Sequence, residues 1–248
     1  MDVLASPADL STLVGAIYDC ALDPRRWPET LTRVHRALGF VNAVLALNAL
    51  PGGALRLHVT VGVESPWRET MGDFPEEMLA VWGGPRAAAN YPLDRPAVAT
   101  WVNPRLWELL PHNRYLRDWA VPQGLVDQIA IPLVRDATSI GTLAMGRHRD
   151  RGPIGEREVA AAQLLLPHLQ RAVAIGRLLE QRAVADDLVA VLDALRTPAL
   201  VVAGDRTIRF ANRAAAALLD AGTPLAARRT PGATRLAAAT PRATRALA

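Results

Sequence analysis

The chain has 248 residues, 50% hydrophobic and 21% charged, with a formal net charge of +4. That apolar content excludes a largely disordered chain, and no apolar run approaches the ~20 residues of a membrane span. All 28 basic residues are arginine, which excludes a Schiff-base lysine and a P-loop, and the single cysteine, Cys20, excludes an internal disulfide and a cysteine-built metal site.

The opening Met1-Asp2-Val3-Leu4 carries an acid where an export signal carries lysine or arginine, so a cytoplasmic protein without a membrane partner is expected. Ser6-Pro7-Ala8-Asp9 reads as a helix start, with a capping serine, a proline at the first helical position and an acid at the positive end of the dipole. Leu10, Leu13, Val14, Ile17, Tyr18 and Ala21 follow at helical spacing until Asp23-Pro24. A second helix is expected from Trp27-Pro28, with Leu31, Val34 and Leu38 on one face and Gly39 as its stop. Val41 to Leu47 is strand-like. After the turn Pro51-Gly52-Gly53, Leu55, Leu57, Val59, Val61 and Val63 alternate with polar or small residues, the period of a strand with one buried face.

Residues 64–122 are rich in proline and glycine and hold Trp67, Trp82, Trp101, Trp107 and Trp119. Short helices are expected near 66–71, 76–82, 104–110 and 113–120. Large aromatics among short elements either pack a small core or line a pocket, and the pocket reading takes Trp67, Trp82, Trp101, Trp107, Tyr115 and Trp119 as its walls. A second hairpin is expected from Leu125 to Val134 and Ser139 to Arg147. From Glu156 the pattern is helical to about Leu195, interrupted by a kink at Pro167. Beyond it Leu169, Val173, Leu179, Ala183 and Leu188 form a loose seam, read as a dimerisation helix. Strand, turn, strand and helix then follow over 199–220.

The arginines are unevenly placed. Residues 223–248 hold five (Arg228, Arg229, Arg235, Arg242, Arg245) and no acid, while the first 222 residues hold 23 against 24 acids. The basic balance therefore belongs to the tail, which is poor in large apolar residues and expected to be poorly ordered or to form partial structure only.

Catalytic patterns are absent. The five histidines show no helical zinc spacing, and there is no Gly-x-Ser-x-Gly elbow or dinucleotide-binding glycine pattern. His148-Arg149-Asp150 spells the core of a kinase catalytic loop, but Gly155 stands where that loop needs asparagine and the chain has no lysine. No enzyme and no cofactor is expected, and an enzyme of unrecognised type is the least favoured alternative.

Two helices, a hairpin, a helical middle, a second hairpin and a long helix resemble the GAF/PAS group of sensor domains. The segments Ile17-Tyr18-Asp19-Cys20-Ala21-Leu22-Asp23-Pro24-Arg25-Arg26-Trp27-Pro28, Tyr115-Leu116-Arg117-Asp118-Trp119, Pro122-Gln123-Gly124 and Leu165-Leu166-Pro167-His168-Leu169-Gln170-Arg171-Ala172 resemble, in this order, segments of bacterial LuxR-type helix-turn-helix transcriptional regulators. Ala199 to Leu219, with Phe210-Ala211-Asn212-Arg213-Ala214, is similar to the start of a PAS domain. The resemblance implies an α/β fold, an antiparallel sheet flanked by helices. It implies a GAF-like sensor domain over 1–152, a kinked connecting helix over 153–196, an incomplete PAS-like segment over 197–222 and a tail over 223–248. It further implies the sensory part of a LuxR-family regulator, truncated before its helix-turn-helix. Such a chain would bind an unknown small molecule, form a homodimer and read no DNA sequence directly. The alternative is a ligand-free dimerisation module.

Overall fold

The computed structural model describes residues 6–50, 53–222, 224–230 and 232–238. The opening residues Met1 to Leu4, most of the turn at 51–53 and the last ten residues of the tail lie outside them. The chain forms two units, Met1–Leu178 and Leu179–Ala248.

In the first unit, α1 (Pro7–Leu22) starts where Ser6 accepts a hydrogen bond from the Asp9 amide at 3.2 Å. Its Leu13, Ile17, Cys20 and Ala21 are buried at helical spacing. The Asp23 side chain caps the next turn by accepting from the Arg25 amide, and α2 (Trp27–Ala37) buries Trp27, Leu31 and Val34. Helix α2 stops before Gly39, whose φ of 75° suits a residue without a Cβ.

Strands β1 (Asn42–Ala49) and β2 (Leu55–Val61) pair antiparallel, with Leu45 opposite Val59. Gly62 follows at φ 71°, and a Cβ there would stand 2.3 Å from the Val41 carbonyl oxygen. Strands β4 (Leu125–Arg135) and β5 (Ser139–His148) form the second hairpin, and a two-residue strand, β3 (Ala97–Val98), lies along β4. The sheet order is β2-β1-β5-β4-β3, antiparallel throughout. Pro132 lies within β4 where the pairing register slips, the kind of place a strand tolerates a proline.

The main core joins Ala43, Leu45, Ile129, Ile131, Leu143 and Met145 of this sheet to α1, α2 and the first half of a long helix, α7 (Glu156–Ala194). That helix contributes Ala162, Leu165, Leu166, Leu169, Ala172 and Val173. Each large aliphatic side chain buried there contributes about 1.5–3 kcal/mol relative to exposure. Helix α7 runs on through Pro167 as one continuous helix. Neighbouring turns of the helix carry the fold past the one hydrogen bond that proline cannot donate. Arg147, almost fully buried, ties the start of α7 to the sheet. It donates to the carbonyls of Gly39, Arg151 and Gly152 and to Glu158 Oε1 at 3.0 Å.

Between the hairpins lie α3 (Trp67–Thr70), α4 (Pro75–Val81), α5 (Pro85–Asn90), α6 (Ala99–Val102), a 3-10 turn over Leu106–Leu109 and a π-helical turn over Tyr115–Ala120. The sequence reading anticipates four short helices here but not α5, β3 or α6.

In the second unit, the end of α7 is followed by β6 (Leu200–Val202), β7 (Ile208–Ala211) and α8 (Arg213–Ala221). Asn212, fully buried, organises them. Its Oδ1 accepts from the Ala199 and Ala215 amides at 2.9 and 2.8 Å, and its Nδ2 donates to the Leu192 and Thr197 carbonyls at 2.8 and 2.9 Å. Part of the tail, for which poor order or partial structure is expected, is a regular hairpin, β8 (Leu225–Thr230) with β9 (Ala233–Ala238). A full ladder and one buried leucine, Leu236, hold together what composition alone reads as disordered.

Among the described residues no helix is long and apolar enough to cross a membrane.

Candidate functional site: a buried aspartate under the tryptophan layer

The helices between the hairpins build a second core from Val63, Phe74, Val81, Leu106, Tyr115, Leu116, Trp119 and Leu125. Its aromatic centre is ordered. The rings of Tyr115 and Trp119 stack at 5.1 Å and 20°, Phe74 meets Tyr115 edge-on at 6.3 Å, and the Arg114 guanidinium lies 5.2 Å from the Phe74 ring centre. Trp119 Nε1 donates to the Trp67 carbonyl at 2.7 Å. Gln128 Nε2 donates to the Tyr115 hydroxyl, whose ionisation burial pushes well above its ordinary value.

Two asparagines replace secondary structure as the ties of this layer. Asn113 accepts from the Leu116 amide and donates to the Glu77 carbonyl, both at 2.9 Å, and Asn103 donates to the Ala80 carbonyl at 3.3 Å.

Where this core meets the start of β4, a carboxylate is buried. Asp127 is 5% exposed. Its Oδ2 accepts from Thr100 Oγ1 at 2.7 Å, and its Oδ1 accepts from the Gln128 amide at 2.8 Å and the Thr100 amide at 3.2 Å. Burial pushes the Asp127 carboxyl above its ordinary value, and these donors pull it back. Asp127 and Gln128 border a cavity of about 10 Å³, otherwise lined by apolar side chains including Val81, Ala99, Leu106, Trp107 and Leu116. That space holds about one water.

A larger space, about 290 Å³, is a groove on the outer side of α1 and α2, bordered by Thr12, Gly15, Asp19, Arg26, Glu29 and Arg33. It is charged and exposed, and Arg26 and Asp19 pair with each other across it at 2.9 Å. Among the described residues no three His, Cys, Asp or Glu side chains gather as a metal site would require. Cys20 is buried beside Thr30, with its thiol pushed above its ordinary value by that burial.

The structure brings some of the sequence-selected residues together and separates others. Tyr115 and Trp119 are buried in the second core, and Trp67 and Trp82 pack against it. Trp107 borders the cavity with its other face in solvent, and Trp101 is exposed away from it. Of the helix residues read as a dimerisation seam, Leu169 and Val173 are buried in the main core of their own unit and cannot meet a partner. Leu179, Ala183 and Leu188 are exposed. Sequence reading missed Asp127, Thr100 and Gln128. The signal was present in β4, where Asp127 takes the inward parity of Leu125, Ile129 and Ile131. It also missed Val184, Val191 and Leu195, which with Leu188 are 47–63% exposed.

No protein-family model and no curated protein matches the chain. Among solved structures, the chain is similar to the LBD domain of VqsR from Pseudomonas aeruginosa, at 12% identity and a TM-score of 0.46 over 69% of this chain and 97% of that one. It is similar to CepR2 from Burkholderia cenocepacia, an N-acylhomoserine lactone dependent LuxR family transcription factor, at 16% identity and 0.43 over 66% and 92%. It is also similar to the chromophore-binding domain of the bacteriophytochrome RpBphP3 from R. palustris, at 16% identity and 0.43 over 70% and 62%. Likenesses this distant carry no argument about ligand or activity. The mixed α/β architecture, an antiparallel sheet flanked by helices, stands on the structure itself.

Proposed function

We propose that the first unit is the sensory domain of a transcription regulator and that it takes a small amphiphilic molecule between Asp127 and the tryptophan layer. The observation that carries this reading is the Asp127 carboxylate. It is buried among apolar side chains, its partners are neutral donors, and it borders a small break in that packing. A buried acceptor of this kind favours a ligand that brings an N–H or O–H donor and an apolar body.

Pockets for such molecules measure about 300–1,000 Å³. The present cavity is far smaller, so the ligand enters by displacing side chains. Trp107 and Leu106 close the space and sit on a short 3-10 turn rather than a long helix. The packed form and an opened form are then two states, and the ligand stabilises the second. The test is a thermal-shift and tryptophan-fluorescence screen of the full chain against amides, lactones and aromatic acids, with N-acylhomoserine lactones included. Binders that raise the melting temperature and shift the emission support the reading. A uniformly null panel overturns it.

A second reading has its own observation. Val184, Leu188 and Val191 are exposed on α7 at the four-three spacing of a coiled-coil seam, with Leu195 exposed just past its end. We propose that this stretch of α7 pairs with a second copy of the chain. Sedimentation equilibrium tests it: a strict monomer at ~100 µM, where even weak ~10 µM association would show, overturns this reading.

A further inference from the structure

The second unit carries a charge arrangement that a sensory role does not use. Residues 197–238 hold six arginines against two acids, Asp205 and Asp220. The hairpin register sets two of the arginines, Arg228 and Arg235, directly opposite each other. Like charges so placed destabilise a strand pair. A single bridge, Thr207 with Arg235, together with the Leu236 amide donating to the Arg206 carbonyl at 2.8 Å, sets β9 beside β7.

Side chains alternate along strands, so this bridge fixes which residues share a face. Arg228, Arg235 and Thr207 share one, with Ala226, Ala233 and Ala237 beside them. Leu236 and Leu225 take the opposite parity, and Leu236 is buried. Arg209, Arg228 and Arg235 are exposed. One acid, Asp205, borders this face. Arg235 lies 3.5 Å from its carboxylate, and hydrogen bonds from the Thr207 amide and hydroxyl, with smaller help from Arg235 and Arg209, hold that carboxyl below its ordinary value.

We propose that this arginine face docks the phosphate backbone of duplex DNA, without reading its sequence. Guanidinium forks match phosphate oxygens two at a time, and neighbouring strands present them roughly 5 Å apart. The alanines beside them leave the phosphates free to approach the sheet. Among the described residues that the register places on this face none is aromatic, so it offers no platform for stacking the bases of a single strand. It offers no apolar wedge for a lipid surface either.

The test is fluorescence anisotropy of the full chain with a labelled duplex of about 20 base pairs, titrated from about 25 to 200 mM salt. The parent is compared with Arg228→Gln/Arg235→Gln, with Arg86→Gln from the first unit as a control, and with Asp205→Asn. The expected result is measurable binding at about 50 mM salt, with the log–log salt slope falling by about 2 and affinity falling at least tenfold in the double variant. Arg86→Gln leaves both unchanged, and Asp205→Asn tightens binding. Circular dichroism is expected to show both arginine variants folded, because the replaced side chains are exposed. The proposal is overturned by no binding at about 50 mM salt, by an unchanged slope in the double variant, or by tighter binding to phosphatidylserine vesicles than to duplex at equal charge. These outcomes do not touch the Asp127 site, whose ligand is read by a separate assay.

Discussion

Replacing Asp127 separates its hydrogen bonds from its charge. In Asp127→Ala the amides of Thr100 and Gln128 and the Thr100 hydroxyl lose their acceptor at a buried position. A buried donor left without a partner costs about 1–3 kcal/mol, so three such groups, less the relief of removing a buried charge, destabilise the first unit by about 3–5 kcal/mol. For a unit of this size that lowers the melting temperature by roughly 6–20 °C, at about 2–4 °C per kcal/mol. Asp127→Asn keeps an acceptor oxygen for the two amides and removes the charge, so at pH 7.5 it is expected to be at least as stable as the parent. The pH dependence has a fixed sign. Burial raises the Asp127 carboxyl in the folded state, so the folded form holds the proton more tightly than the unfolded one. Its destabilising charge is fully present above the folded value and is relieved as pH falls toward about 3.9, the unfolded value. The parent therefore gains on Asp127→Asn as the solution is acidified. Urea denaturation of the three proteins between pH 4.5 and 8 measures this. A loss under about 1 kcal/mol for Asp127→Ala, or a parent that loses ground to Asp127→Asn on acidification, would refute the reasoning.

Other parts of the structure give sharper contrasts. Leu169→Ala should cost about 2–5 kcal/mol of stability in the first unit, whereas Leu188→Ala costs under about 0.5 in a dilute monomer and instead weakens self-association; denaturation and sedimentation read the two effects. His35 is buried with its ring Nδ1 3.0 Å from the Phe40 carbonyl, and burial lowers its ionisation below the ordinary value. Its contribution is therefore complete above about pH 6.5 and is lost as pH falls toward the folded value, so the advantage of the parent over His35→Gln should shrink below about pH 6.5. Asn212→Ala removes a helix cap and leaves the Ala199 amide unpaired, costing about 2–4 kcal/mol. Hydrogen exchange should quicken at Ala199 and Ala215 while amides of the main core in the first unit keep their protection.

The legible parts of this chain are those where one face of an element is apolar and its length exceeds two turns or five residues. Helices α1 and α2 announce themselves by cap, proline and period, and the β4–β5 hairpin by alternation around a polar turn. The tryptophan layer is harder to read because its helices span one or two turns. Their ends are set by distant partners, such as Asn113 on the Glu77 carbonyl, rather than by local pattern. The same limit explains the seam on α7. Leu169 and Leu188 look alike in sequence, yet only the former lies against the sheet. The β8–β9 hairpin escapes notice because alanine, threonine and arginine alternate without apolar contrast. Asp127 is the instructive miss. A charged residue at an inward strand position breaks the pattern, and that break marks the candidate site.

The central claim is that Asp127 receives the donor of a small molecule beneath the tryptophans. Its most direct test is calorimetric titration of the tightest-binding molecule from the screen into the parent and into Asp127→Asn. A hydrogen bond to a buried charge contributes about 1.5–3 kcal/mol, so affinity should fall roughly 10- to 150-fold in the variant. Equal affinity in the two proteins, with both folded, would contradict the account.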